Sequence, residues 1–481
     1  MSWDVVIGIE THVQLKTRNK IFSRASINNT SEPNTAVDFV DIGLPGTLPI
    51  FNPDVIACAV KFGSAINAKI NLNSYFERKN YFYPDLPKGY QISQFAVPIV
   101  EKGELFLYKN FEKKIKITRA HLEEDAGKLV HDSIPQASAV DYNRAGTPLL
   151  EIVTEPELYS ADEAVEYAKT LHELVVWLGI SNGNLQEGNF RCDANVSVKK
   201  TGSNTLGTRR EIKNLNSFRF LYEAIEYEKK WQINQLESGN EIIQSTVLFD
   251  SQKKITKEMR TKEDSHDYRY FPDPDLMPVK IDPEWIERIR KELPEKPFDK
   301  QRRYMEEMNL PYSSTSALCV DRPLCEFFEQ TAALAKDPQK AANWVVNDLL
   351  RELGQAENEE NDREALSNCP LSPEMLAELI NLIEDGIVSN NVAKELFPEM
   401  FTSGKSAKKL VEEKGLEMKS DGGEIEALCS QAIADDPDAA EKFRGGKEGA
   451  INALKGSVMK ATRGQANPKL VDETLRRLLS S

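Results

Sequence analysis

Cysteine is sparse: Cys58, Cys192, Cys319, Cys325, Cys369 and Cys429 include no C-x-x-C pair, which argues against a disulfide framework and suits buried thiols in a reducing compartment. Long apolar runs are missing as well. None approaches the roughly 18 residues that a membrane span needs, and Met1-Ser2-Trp3-Asp4 leads into a strand pattern with neither a basic n-region nor a cleavage site. A cytoplasmic protein with no membrane contact is expected. Net positive charge is absent, the formal charge being −15, so the chain is no wholesale nucleic-acid binder. There is no G-x-x-x-x-G-K-[ST]; its nearest approach, Gly183-Asn184-Leu185-Gln186-Glu187-Gly188, lacks the lysine that reaches nucleotide phosphates. Nor does a G-x-G-x-x-G open a helix after a strand, and no internal repeat or low-complexity tract occurs. If the chain uses ATP, it cradles it in some other way.

What is present suits a folded globular protein: 481 residues, 40% hydrophobic and 28% charged, enough at roughly 100–200 residues per domain for about three domains. Residues 1–293 mix alternating strand segments with a few helices and read as α+β. One helix begins at Ser160 with a capping box to Glu163, buries Ala164, Ala168, Leu171, Leu174, Val175 and Leu178, and stops at Gly179. A second runs from about Ser217 to Leu236. After Leu293-Pro294-Glu295-Lys296-Pro297 only helical periodicity remains. The reading is a mixed-sheet domain (1–293), an all-helical domain (294–411) and a small helical tail domain (412–481). The tail changes sign: residues 412–441 carry ten Asp/Glu against two Lys, and 442–477 carry nine Lys/Arg against three acids, a local cationic patch on an acidic chain.

The first strand alternates, so Ile7, Ile9, Val13 and Leu15 share one face and Glu10 and His12 project from the other. A carboxylate beside an imidazole on a rigid strand can hold a divalent cation, although a solvated strand face has the same pattern. A second strand places Arg191, Asp193, Asn195 and Ser197 together, and the next segment aligns Arg209, Glu211 and Lys213. Carboxylates interleaved with Lys and Arg match what phosphoryl transfer requires; a surface salt-bridge ladder would look similar. His121-Leu122-Glu123-Glu124-Asp125-Ala126-Gly127-Lys128 reads most simply as a charged turn. The loops Tyr81–Tyr90 and Asp267–Pro272 combine aromatics with an acid and a base, and their rings could stack on a base or close a core edge.

Seven segments resemble, in order, the B subunit of glutamyl/aspartyl-tRNA amidotransferases. They are Val6–Val13, Arg78–Asp85, His121–Lys128, Asn143–Glu151, Arg191–Asn195, Glu211–Ser217 and Asp267–Pro272. Gly456–Pro468 resembles that family's helical tail. The resemblance implies that residues 1–293 are the family's cradle domain. It implies ATP-dependent phosphorylation, with Mg2+, of the side-chain carboxylate of Glu or Asp esterified to tRNA. Amidation would follow with ammonia from an amidase A subunit, a small C subunit completing the heterotrimer. Misacylated tRNA is the implied substrate. Glu10, His12, Glu124 and Asp193 correspond to the family's metal set, with Glu151 and Glu211 beside them. Lys79 and Asp85 correspond to a pair near the ammonia exit, and Arg191, Asn195, Lys213 and Arg269 to phosphate and substrate contacts. Glu124, Asp193, Lys79 and Asp85 are the catalytic candidates. Many relatives carry four zinc-binding cysteines in the segment matching Phe22–Pro45. Here Ser23, Ala25, Asp38 and Asp41 stand in those places, so no structural zinc is expected. A non-catalytic tRNA-binding scaffold and a stand-alone metal-dependent hydrolase are the alternatives; the intact acids oppose the first, and the basic tail opposes the second.

Overall fold

The computed structural model describes residues 2–27, 32–134, 137–261, 267–356, 366, 369–416, 422–462 and 466–480, which form two compact units, Met1–Lys296 and Pro297–Ser481. In the first unit nine strands build one sheet: β1 (Trp3–Gln14), β2 (Lys69–Ile70), β3 (Val100–Leu107), β4 (Lys113–Glu124), β5 (Pro148–Thr154), β6 (Phe190–Lys200), β7 (Arg210–Leu215), β8 (Ser245–Asp250) and β9 (Ile255–Thr261), in the spatial order β9-β8-β7-β6-β1-β5-β4-β3-β2. Pairing is antiparallel except between β7 and β8. The first strand of the sequence is thus central, between β5 and β6.

Side-chain alternation divides the two faces of this sheet. Ile7, Ile9 and Val13 are buried in one core with helices α1 (Asp54–Ala65), α2 (Ala161–Trp177) and α3 (Phe218–Glu237), each such side chain contributing about 1.5–3 kcal/mol. Ser160 caps α2 by accepting from the Glu163 amide at 3.0 Å. The return arm of the box lands one residue early, on the Tyr159 amide at 2.9 Å, and the same carboxylate also holds Lys113. Ser217 caps α3 through the Phe220 amide. With helices covering the apolar face, the residues of opposite parity on β1, β4, β5, β6 and β7 form a separate polar face.

Two expectations change here. His121–Asp125 is no charged turn: His121, Glu123 and Glu124 end β4, and all four titratable residues of the run are buried. Arg209 is exposed ahead of β7, while Arg210 is buried against Glu228 at 2.9 Å with its guanidinium over Trp231.

A smaller sheet joins Glu77–Asn80, Tyr90–Ser93 and Phe271–Pro272. The second unit is helical among its described residues, and Ile425, Cys429, Leu454, Val458, Val471 and Leu475 belong to an apolar cluster of its last segment. Residues 28–31, 417–421 and Arg463-Gly464-Gln465, which fall within the Phe22–Pro45 segment, the acidic stretch and the tail motif, lie outside the described residues. All six cysteines are free, and among the described residues no helix is long and apolar enough to cross a membrane.

Candidate metal and phosphoryl-transfer site

Strand register assembles the polar face. His12 stands opposite Glu151 on one side and Arg191 on the other, and Glu151 stands opposite His121. One row therefore crosses four strands. In the next row Glu10 faces Asp193. The His12 Nε2 atom lies 3.5 Å from Glu151, 3.6 Å from Glu123 and 3.8 Å from Glu10, and His121 Nε2 lies 3.4 Å from Glu151. Among the described residues, three groups can each bring ligand atoms within 4.8 Å of one another: Glu10, His12 and Glu151; His121, Glu123 and Glu151; and Glu10, Asp193 and Glu211. Glu151 is common to the first two groups and Glu10 to the first and third.

Crowding like charges out of water leaves its mark on the protons. Burial and the nearby Glu151 push the Glu10 carboxyl up to about 7, against the opposing pull of His12 and Lys213. Burial alone would lower His12, but its hydrogen bond to Glu151 and the charges of Glu151, Glu123 and Glu10 raise it to about 9. Glu151, despite burial, is held well below the usual carboxylate range by His121 and His12. Protons here do what a cation would do, neutralising converging carboxylates. His121 Nδ1 is buried without a hydrogen-bond partner. The carboxylates suit Mg2+ and the imidazoles favour Mn2+ or Zn2+, so the carboxylates of this set fit the implied Mg2+.

Cations border the cluster. Lys213 bridges Asp193 and Glu211, each at 2.9 Å, and Glu211 also accepts from Thr246 at 2.8 Å. Burial works against charge on Lys213, but these two carboxylates hold its pKa above the ordinary value. Arg191 pairs with Asp125 at 3.0 Å, and Asp125 also accepts from Gln14 at 2.9 Å. Asn195 is half-buried and stands opposite Gly8 and Glu211. Lys79 has its ammonium 4.8 Å from the centre of the Tyr268 ring; burial opposes its charge, but Glu123, Tyr270 and Glu151 keep its pKa raised.

Other expected residues stand elsewhere. Glu124 belongs to none of the three groups: neighbouring strand residues point to opposite faces, so Glu123 enters the cluster while Glu124 turns to Lys88 and to the Ile92 amide at 2.9 Å. Asp85 lies in the turn after Tyr81, where its carbonyl accepts from the Gly127 amide at 2.8 Å, and its carboxylate is in none of the groups. Arg269 is exposed on a left-handed backbone position (φ 43°). Sequence reasoning passed over His121 and Glu123, whose signal was the spacing of two within an apparently uniform acidic run. In the Phe22–Pro45 segment Asp41 is engaged by the buried Lys20 at 2.9 Å and by the Asp38 amide at 2.9 Å.

Family models match segments in both units of the chain. A family model described as the GatB/GatE catalytic domain matches residues 5–287, and one described as the GatB domain matches residues 326–479. The B subunit of the aspartyl/glutamyl-tRNA(Asn/Gln) amidotransferase of Cupriavidus pinatubonensis is 51% identical over 492 residues, covering 100% of both chains. The proteins of the same name from Methylobacillus flagellatus (51% over 482 residues) and Geotalea uraniireducens (50% over 484 residues) also align over 100% of both chains.

Proposed function

The chain belongs to the family defined by the GatB/GatE catalytic domain, and from that premise we propose that it activates the side-chain carboxylate of Glu or Asp esterified to tRNA at the expense of ATP, and that the activated group is then amidated. The observation that carries this reading is the shared-ligand cluster of Glu10, His12, Glu123, Glu151, Asp193, Glu211 and His121, edged by Lys213, Arg191 and Lys79.

A carboxylate resists attack by ammonia because oxide is a very poor leaving group. Transfer of the γ-phosphoryl group from ATP to a carboxylate oxygen gives an acyl phosphate and ADP. Ammonia then adds to the carbonyl carbon, inorganic phosphate departs, and one proton is lost from nitrogen. A bound Mg2+ would neutralise phosphoryl oxygens and orient the transferring group; the residues that would hold it are drawn from the overlapping groups of Glu10, His12, His121, Glu123, Glu151, Asp193 and Glu211. Lys213 and Arg191 supply positive charge for phosphate oxygens, and Asn195 offers a neutral donor beside them. The acidic surround of Lys79 keeps its ammonium charged, so it attracts the substrate carboxylate rather than serving as a base. Arg269, exposed and outside the cluster, suits a contact to the tRNA backbone.

Activation of the carboxylate leaves the release of ammonia to another chain, and the relatives are named as B subunits. The reading therefore includes an amidase A subunit and a small C subunit, a cytoplasmic location and no structural zinc. The test is chemical. Supplied with ATP, Mg2+ and Glu-tRNA or Asp-tRNA but no ammonia source, the assembled enzyme should form ADP together with a species that hydroxylamine converts to a side-chain hydroxamate, distinct from the α-hydroxamate that the tRNA ester itself gives without ATP. ADP without the side-chain hydroxamate would contradict the proposal.

A further inference from the structure

A row of aromatic rings leads away from the acidic cluster. Its inner end is Lys79, 4.8 Å from the centre of the Tyr268 ring. Tyr268 lies 6.2 Å from Tyr270, and Tyr270 stacks on Phe95 at 4.4 Å with 12° between the planes. Phe95 is 56% exposed. One exposed ring is ordinary on a protein surface; what sets this pair apart is how firmly both of its ends are held.

The backbone under Phe95 is pinned by a buried carboxylate: Glu77 Oε2 accepts from the Phe95 amide at 2.8 Å and from the Ala96 amide at 2.7 Å. The buried Gln94 next to it donates to Ser74 at 2.7 Å and accepts from the Leu122 amide at 3.0 Å, tying the loop to β4. On the other side the Asn80 side chain donates to the carbonyls of Tyr268 at 3.2 Å and Arg269 at 2.9 Å. Residue 269 takes a left-handed conformation at φ 43°, rare for a residue with a side chain, and Phe271 then pairs with Arg78. Two loops far apart in sequence are thus fixed so that one flat ring lies on another with its outer part in water. A core edge does not need this. A stacking surface does, because a planar ligand gains most when the platform is already ordered.

We propose that the Phe95–Tyr270 pair is the platform on which the unpaired terminal adenine of the acyl-tRNA stacks, setting the distance from the base to the carboxylate that is phosphorylated at the Glu10–His12 cluster. This rests on the functional reading above. An aminoacyl group hangs from the ribose of the terminal nucleoside, so the base must lie close to the reacting carboxylate, and the rings adjoin Lys79, whose ammonium feels the charges of Glu123 and Glu151 in the cluster. Stacking is tolerant of base identity, which suits a terminus whose role is positional. Phe95 and Tyr270 are positioning residues and touch no reacting atom.

The experiment compares binding of tRNA with that of the same tRNA lacking its terminal adenosine, in the complete multi-subunit enzyme. Removing the nucleoside should weaken wild-type binding roughly 5- to 150-fold, the range a stacked base contributes. In Phe95→Ala and Tyr270→Ala this ratio should fall toward one, while Phe95→Trp should keep it and keep a near wild-type KM for acyl-tRNA. Hydroxamate formation by Phe95→Ala should fall more at limiting than at saturating acyl-tRNA. The proposal is overturned if Phe95→Ala retains the full ratio, if it weakens both tRNAs alike, or if its defect is lost assembly with the partner subunits, which would make this a protein-docking face. A silent Phe95→Ala in an enzyme that still forms the hydroxamate overturns the platform alone. Absence of the hydroxamate from the wild-type enzyme overturns the functional reading.

Discussion

Glu123 and Glu124 are adjacent acids with different tasks, and a substitution at each separates them. Glu123→Gln removes a carboxylate from the cluster, and a direct ligand should lose no less than the roughly 10- to 100-fold in metal affinity that an outer partner costs, with little change in folding. Glu124→Gln instead leaves the buried Lys88 without its counter-charge, which should cost about 3–5 kcal/mol of stability. Metal titration and denaturant unfolding of the two variants read these outcomes directly. The same cluster predicts a pH dependence. Metal binding must displace the protons that hold His12 up to about 9 and Glu10 up to about 7. Metal affinity should therefore rise up to about tenfold per pH unit between those values, more steeply below the lower one, and level off above the higher. A flat profile from pH 6 to 9 would show that these groups are not ligands. Glu10, His12, Asp193 and Glu211 were readable from the alternation of isolated strands. Glu123 and His121 were not, because a run of acids hides its parity until the strand's end is known.

At the scale of elements, strands and caps were the legible part. Ser160 and Ser217 start their helices as their side chains dictate, and the two faces of β1 follow from alternation alone. The order of strands was not legible. Register between β1, β5 and β6 depends on contacts more than a hundred residues apart, and only that register puts Glu151 beside His12. Around the acids at 38 and 41, nothing local revealed that Lys20 would be buried against Asp41. That pair makes its own prediction. Asp41→Ala should destabilise by about 3–5 kcal/mol, whereas a paired Lys20→Met/Asp41→Leu change should recover much of the loss, both read by denaturant unfolding. Elemental analysis of the purified protein should find zinc well below one equivalent; stoichiometric zinc that resists mild chelation would contradict this account of the segment.

On the scale of the whole molecule, the basic tail is less cationic than its sequence suggests. Lys455 and Arg476 both engage Asp472, and Arg477 lies 2.8 Å from Glu426, so three of the nine cations are paired internally. Lys442, Lys447, Lys460 and Lys469 have no ion pair among the described residues. If these four are what meets phosphate, deleting residues 412–481, which we take as a separate module, should weaken tRNA binding and flatten the dependence of log K on log salt by about three to four units. Glutamine hydrolysis without tRNA should barely change. An unaltered slope would assign the tail to folding or to contact with the other subunits.

If the polar face of the sheet holds the cation for carboxylate phosphorylation, Asp193→Asn should disable that step. The side chain keeps its shape but loses the charge that Lys213 and the cation share. Single-turnover transfer of the γ-phosphoryl group from ATP to acyl-tRNA should fall at least about 100-fold, and raised Mg2+ should recover part of it. Glutamine hydrolysis by the assembled enzyme should remain near wild type. Wild-type phosphoryl transfer by Asp193→Asn at ordinary Mg2+ would contradict the account.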